Sequence, residues 1–102
     1  MESSENAPSQ RLRLPASLDL KAAAPLWREL KAARGSDVAI EADEVRRLGG
    51  QCLQVLIAAR TAWAEDGCAF DIEGPSQAFV ETASLMGAAE LLGVSKLEEL
   101  AQ

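Results

Sequence analysis

Three short stretches of this chain alternate polar and apolar residues with a period of two, and each is followed by a longer stretch with helical spacing. Arg11-Leu12-Arg13-Leu14-Pro15, Asp37 to Ala42 and Cys68 to Glu73 read as strands. Leu18 to Arg34, Gln51 to Glu65 and Ser76 to about Met86 read as helices. Parallel strands need a long crossover between them, and a helix is the usual one. This alternation therefore implies an α/β fold, with neighbouring strands parallel and joined by helices. The expectation is a single domain whose mixed, mostly parallel sheet of about four strands packs with helices. The 102 residues suit one such domain and leave no room for a second core.

Finer expectations follow from single residues. Met1 to Gln10 is polar and rich in Ser, Glu and Asn, and reads as a disordered leader before a folded domain over residues 11–102. In the first helix Leu26, Leu30 and Ala33 share one face, with Trp27 beside it. Asp19 is its candidate N-cap. Pro25 predicts an irregular first turn, with regular helix from about Ala24, and Gly35 ends it. Asp43 to Leu48 reads as a connecting loop, and Asp66-Gly67 stops the second helix. Ser76 caps the third helix, in which Phe79, Val80, Ala83 and Met86 face the core, and Gly87 ends it. Ala88 to Val94 fits either a loop or a short strand. Ser95-Lys96-Leu97-Glu98 has capping-box spacing and predicts a short last helix. Trp27 and Trp63 are expected as core or near-core anchors.

Charge and residue inventory exclude several chemistries. The net charge is −6, and it is unevenly spread. Eight basic residues balance eight acidic ones up to Leu48, whereas Arg60 and Lys96 face eight acidic residues after it. Such a surface repels phosphate backbones and anionic lipid heads, so neither nucleic acid nor a membrane is an expected partner. There is no histidine, which removes Ser–His and Cys–His nucleophile pairs and imidazole-based zinc sites. Cys52 and Cys68 are too few and too isolated for a thiolate cage, and read as reduced, packed thiols. The paired carboxylates Asp43-Glu44, Glu65-Asp66 and Glu98-Glu99 are sequence neighbours in loops or helix ends, where solvated charge is expected. No catalytic residue, metal or cofactor is expected. The N-terminus carries no basic-then-apolar signal, and a cytoplasmic location is expected.

The second helix holds the most informative pattern. Gly49-Gly50 precede it without the spacing or lysine of a P-loop. Free amides there are able to hold an anion, although two glycines also simply make a tight loop-to-helix turn. Within the helix, Cys52, Leu53, Val55, Leu56, Ile57, Ala59 and Trp63 spread around most of the circumference. The remaining stripe, Gln54, Ala58, Thr61 and Glu65, is small and nearly uncharged until its end. It suits either docking of another protein or the edge of a deeply buried helix. Arg46-Arg47 read as solvated loop charges.

From Asp37 to Gly87 the order of elements resembles the STAS family, the anti-sigma-factor-antagonist fold. The residues that carry the likeness are Val38-Ala39-Ile40-Glu41-Ala42-Asp43, then Val45-Arg46-Arg47-Leu48-Gly49-Gly50-Gln51-Cys52-Leu53 and Val55-Leu56, with Pro75-Ser76 and Leu85-Met86-Gly87 following in family order. The family's D-S-x-G-L signature departs here. Its aspartate falls on Gly49, its phosphorylatable serine or threonine on Gly50 and its glycine on Cys52, while Leu53 keeps its type. Gly50 has no hydroxyl, so the phosphorylation switch is not carried over. The run from Leu48 to Leu56 looks like the small STAS proteins of alphaproteobacterial chemotaxis operons. That resemblance implies a non-enzymatic signalling adaptor that binds a sensor histidine kinase, its response regulator or both, and modulates phosphate flow between them. The expected partner surface is Arg47, Gly49, Gly50, Gln51, Gln54, Ala58 and Thr61. Lone STAS domains also serve as accessory subunits of lipid-transport ATPases, and a nucleotide-binding module is a third expectation.

Overall fold

The computed structural model describes residues 9–94. The expected helix from Ser95 lies outside the described residues, as does the expected leader up to residue 8. The elements are β1 (Gln10–Arg13), β2 (Ser17–Leu18), α1 (Leu20–Ala32), β3 (Val38–Glu41), β4 (Arg47–Leu48), α2 (Gly50–Glu65), β5 (Phe70–Glu73), α3 (Gln77–Leu85) and α4 (Ala89–Leu92). The α/β class is as expected. The main sheet is parallel, in the order β1-β3-β5, with Leu12 opposite Ile40 and Ile40 opposite Ile72. Instead of one sheet of about four strands there are three strands and a separate parallel pair, β2–β4. The two strands of that pair have two residues each, too short for any periodicity to show, and they take up part of the expected Asp43–Leu48 loop.

The sheet has one apolar and one charged face, because side chains alternate along each strand. Leu12, Val38, Ile40, Phe70 and Ile72 point to the helices. Arg11, Arg13, Glu41 and Glu73 share the opposite face, where Arg11 reaches Glu41 and Glu73 at 3.0 and 2.9 Å and Arg13 reaches Glu41 at 3.0 Å. Right-handed crossovers through a strand order that never reverses put α1 and α2 on the same, apolar face. The core between the layers contains Leu14, Leu18, Leu30, Ile40, Leu48, Leu56, Trp63, Phe79 and Leu92. Trp63 is buried as expected. Its indole Nε1–H donates to the Ser36 carbonyl at 2.7 Å, and its ring meets Phe70 edge-on at 5.6 Å.

Four local readings change. α1 is regular from Leu20, with the Asp19 carboxylate accepting from the Ala22 amide, and it runs through Pro25. Pro25 lies in the second turn and is exposed, so its ring meets solvent, while Leu26 and Leu30 anchor the same turns in the core. Trp27 is exposed rather than near-core, because it lies just outside the Leu26–Leu30–Ala33 stripe. Met86 is exposed too, since α3 ends at Leu85 and Met86 is its C-cap, no longer on the helix's apolar face. Within Ala88 to Val94 the chain forms the one-turn helix α4, closed by Gly93 at a φ of 74°. Leu92 and Val94 are buried.

Candidate functional site

The entry to α2 is built by the β2–β4 pair. The Gly49 amide donates to the Leu18 carbonyl at 2.9 Å, which draws the two backbones together. A Cβ on Gly49 would stand 3.1 Å from that same oxygen, so residue 49 has to be glycine or the contact must loosen. Gly49 is the N-cap, in extended conformation, and supplies no side-chain cap. Gly50 differs. A Cβ there would touch only the Met86 terminal methyl, at 3.7 Å, so the position is open to a side chain.

From Gly50 the helix presents a continuous outward stripe. Gly50, Gln51, Gln54, Ala58, Thr61 and Glu65 are all exposed, while Cys52, Leu53, Leu56, Ala59 and Trp63 are buried behind them. The stripe is therefore surface and not the margin of a buried helix. It carries no charge before Glu65. The Thr61 hydroxyl donates to the Ile57 carbonyl at 3.2 Å, which masks its polarity within the helix. Arg47 is exposed on β4, on the strand that feeds the helix, and is not part of the stripe.

Several residues of this neighbourhood escaped the sequence reading. Leu20, Leu85, Met86 and Leu91 are exposed, and the Met86 methyl sits beside Gly50. The one signal for them was that Leu85 and Met86 are adjacent, and consecutive helical residues point about 100° apart, so only one of them faces a flat core. The structure also flanks the stripe on both sides. α1 packs on α2, and so does α4. Arg60 marks the α4 side, since it donates to the Phe70 carbonyl of β5 and approaches Gly93.

Cys52 is buried at the start of α2, its thiol donating to the Asp19 carbonyl at 3.3 Å. Burial, and then the Asp19 charge, push that thiol up from its ordinary range, so it stays protonated. A depression of about 530 Å³ opens beyond the sheet, lined by Ala16, Asp43, Glu44, Val45, Arg46 and Ser76. Asp43 and Glu44 both hold Arg13, at 3.4 and 3.2 Å. The charges of the depression are mixed, since Arg46 lines it beside the two carboxylates. Among the described residues no group of three or more acidic, cysteine or histidine side chains is placed to hold a metal. None of the helices described is long and apolar enough to cross a membrane.

No curated protein matches the sequence. Residues 1–94 match the family model described as Mlab, STAS domain, whose members are generally non-catalytic. With that match over most of its length, and with parallel strands alternating with helices around a glycine-led α2, the chain belongs to the STAS domain family.

Proposed function

We propose that the protein is a non-enzymatic, cytoplasmic signalling adaptor that docks a chemotaxis-type sensor histidine kinase through the outward stripe of α2 and modulates phosphate flow to the response regulator. The observation that carries this reading is the exposure of Gly50, Gln51, Gln54, Ala58 and Thr61 on one uncharged helical face, with the Met86 methyl beside it. Such a face has no charge to desolvate when covered, and its small residues let another helix approach closely. Gly50 supports an adaptor without a phosphorylation switch, because the family's hydroxyl position has no hydroxyl. The same surface serves a second reading, an accessory subunit of a lipid-transport ATPase. It is favoured by the same exposed stripe, and the two are separated by which partner is bound.

The test is a pull-down of a co-encoded sensor kinase and, in parallel, a co-encoded transport ATPase, with wild type and Ala58→Arg. Desolvating an unpaired guanidinium at an interface centre weakens binding about a hundredfold or more. Ala58 is exposed, so the variant keeps a near-native melting temperature. Loss of the kinase by a folded Ala58→Arg supports the reading. Retention of the kinase at unchanged affinity moves the surface elsewhere, and capture of the ATPase alone replaces the first reading by the second.

A further inference from the structure

Leu85, Met86 and Leu91 are 88%, 52% and 56% exposed where α3 gives way to α4. α3 ends at Leu85 and α4 begins at Ala89, so the three side chains stand on either side of one tight turn. Met86 borders the start of α2, since a Cβ on Gly50 would stand 3.7 Å from its terminal methyl. Leaving large apolar side chains clustered in water is unfavourable. The chain that follows has the pattern to cover them. In helical spacing Leu97, Leu100 and Ala101 share one face and Ser95 and Glu99 the opposite one, and Ser95-Lys96-Leu97-Glu98 is a capping box. Residues 95–102 are too few to hold a helix alone in water, so such a segment needs an apolar surface to fold against.

The end of α4 sends the chain toward that surface. The Gly93 amide donates to the Glu90 carbonyl at 3.1 Å and the Val94 amide to the Ala89 carbonyl at 2.9 Å, with Gly93 left-handed at a φ of 74°. This pair of bonds is a Schellman turn, and it brings the chain back to the first residue of α4 instead of letting it run on along the axis. Val94 is buried by the turn. A helix over residues 95–102 is about 12 Å long, enough to lie beside the single turn of α4 and reach the Leu85-Met86 corner. Charge agrees with this path. Arg60 approaches Gly93, where the segment sets out, and is the one basic residue between Gly49 and Val94. Its guanidinium donates to the Phe70 carbonyl at 3.4 Å but enters no ion pair among the described residues. Glu98, at the margin of the apolar face, has the sign to pair with it. We infer that residues 95–102 fold back as an amphipathic helix whose Leu97 and Leu100 cover Leu91, Leu85 and Met86 of the same molecule. Seated there, the segment also covers the Gly50 end of the outward stripe, so a partner that engages the whole stripe has to displace it. That consequence rests on the docking reading, whereas the seating itself does not.

The experiment is NMR of the full chain with isotope-labelled Leu and Met methyl groups. Wild type should show nuclear Overhauser contacts from the Leu97 and Leu100 methyls to those of Leu91, Leu85 and Met86. Leu97→Ser/Leu100→Ser should erase them and move the Met86 methyl to the shift of a solvent-exposed methionine, while an unchanged Trp63 indole signal shows that the core is folded. Absence of the contacts in wild type overturns the proposal, as does a Met86 methyl that stays in place in the folded variant. Contacts from Leu97 and Leu100 to Leu20 or Trp27 also overturn it, by seating the segment elsewhere. Contacts seen only between differently labelled molecules in a mixed sample overturn it too, and assign the corner to a second copy. With a co-encoded sensor kinase as the probe, the variant should bind severalfold more tightly than wild type, because nothing then has to be displaced. Equal affinity overturns the displacement. A kinase that binds neither chain refutes the docking reading alone, and the methyl contacts still decide the seating.

Discussion

The guanidinium of Arg34 grips the carboxylate of Asp66 through two hydrogen bonds, Nε to Oδ2 at 2.7 Å and Nη2 to Oδ1 at 3.0 Å. The pair ties the chain just after α1 to the C-cap of α2. Its guanidinium also lies 5.9 Å from the Trp63 ring centre. The hydrogen bond from Arg34 holds the Asp66 carboxyl below the usual carboxylate range. A lowered folded-state pKa means that the pair stabilises the fold above the ordinary aspartate range and that this contribution fades as pH falls through the folded value. Arg34→Met should lower the urea midpoint slightly at pH 7, and wild type and variant should converge under acid. A gap that stays constant down to about pH 2 would show that the pair does not titrate as the geometry implies.

Leu56 is fully buried on the inward face of α2, opposite the proposed docking stripe. Leu56→Ala removes three heavy atoms from a packed core and should destabilise by about 2–5 kcal/mol, the range for such cavities. For a domain this small that is a large share of its stability. Chemical denaturation measures it, and a midpoint near that of wild type would mean that the inward face is wrongly placed.

The two glycines before α2 should respond oppositely to alanine. Gly49→Ala forces a methyl to 3.1 Å from the Leu18 carbonyl oxygen and should destabilise by about 1–3 kcal/mol as the β2–β4 pair shifts. Gly50→Ala meets only the flexible end of Met86, removes backbone freedom from the unfolded chain and should stabilise by about 0.4–1 kcal/mol. Melting curves of the two variants decide this, and equal effects would contradict the contacts. Gly50→Ser should likewise fold, placing a hydroxyl on an exposed first-turn position. Intact-mass measurement with a switch kinase and ATP should then find phosphate on Gly50→Ser and none on wild type.

The sequence alone determined the class of fold and the inward faces of its long helices. Parallel strands joined by helices announce themselves through the change from period two to period 3.6, and burial follows that period at Leu26, Leu30, Leu56 and Phe79. Capping chemistry is equally local, so Asp19 and Ser76 were legible as helix starts. What two distant segments do to each other was not. The β2–β4 pair exists because Ser17-Leu18 and Arg47-Leu48 meet in space, and two residues carry no period to read. Trp27 and Met86 have core-like side chains, and their exposure follows from Trp27's place just outside the buried stripe of α1 and from where α3 stops. Whether Gln54, Ala58 and Thr61 were surface or the edge of a buried helix was undecidable from periodicity, since apolar residues occupy most of that helix. It was settled by the neighbours: α1 and α4 pack along the flanks of α2 and leave its outward stripe uncovered.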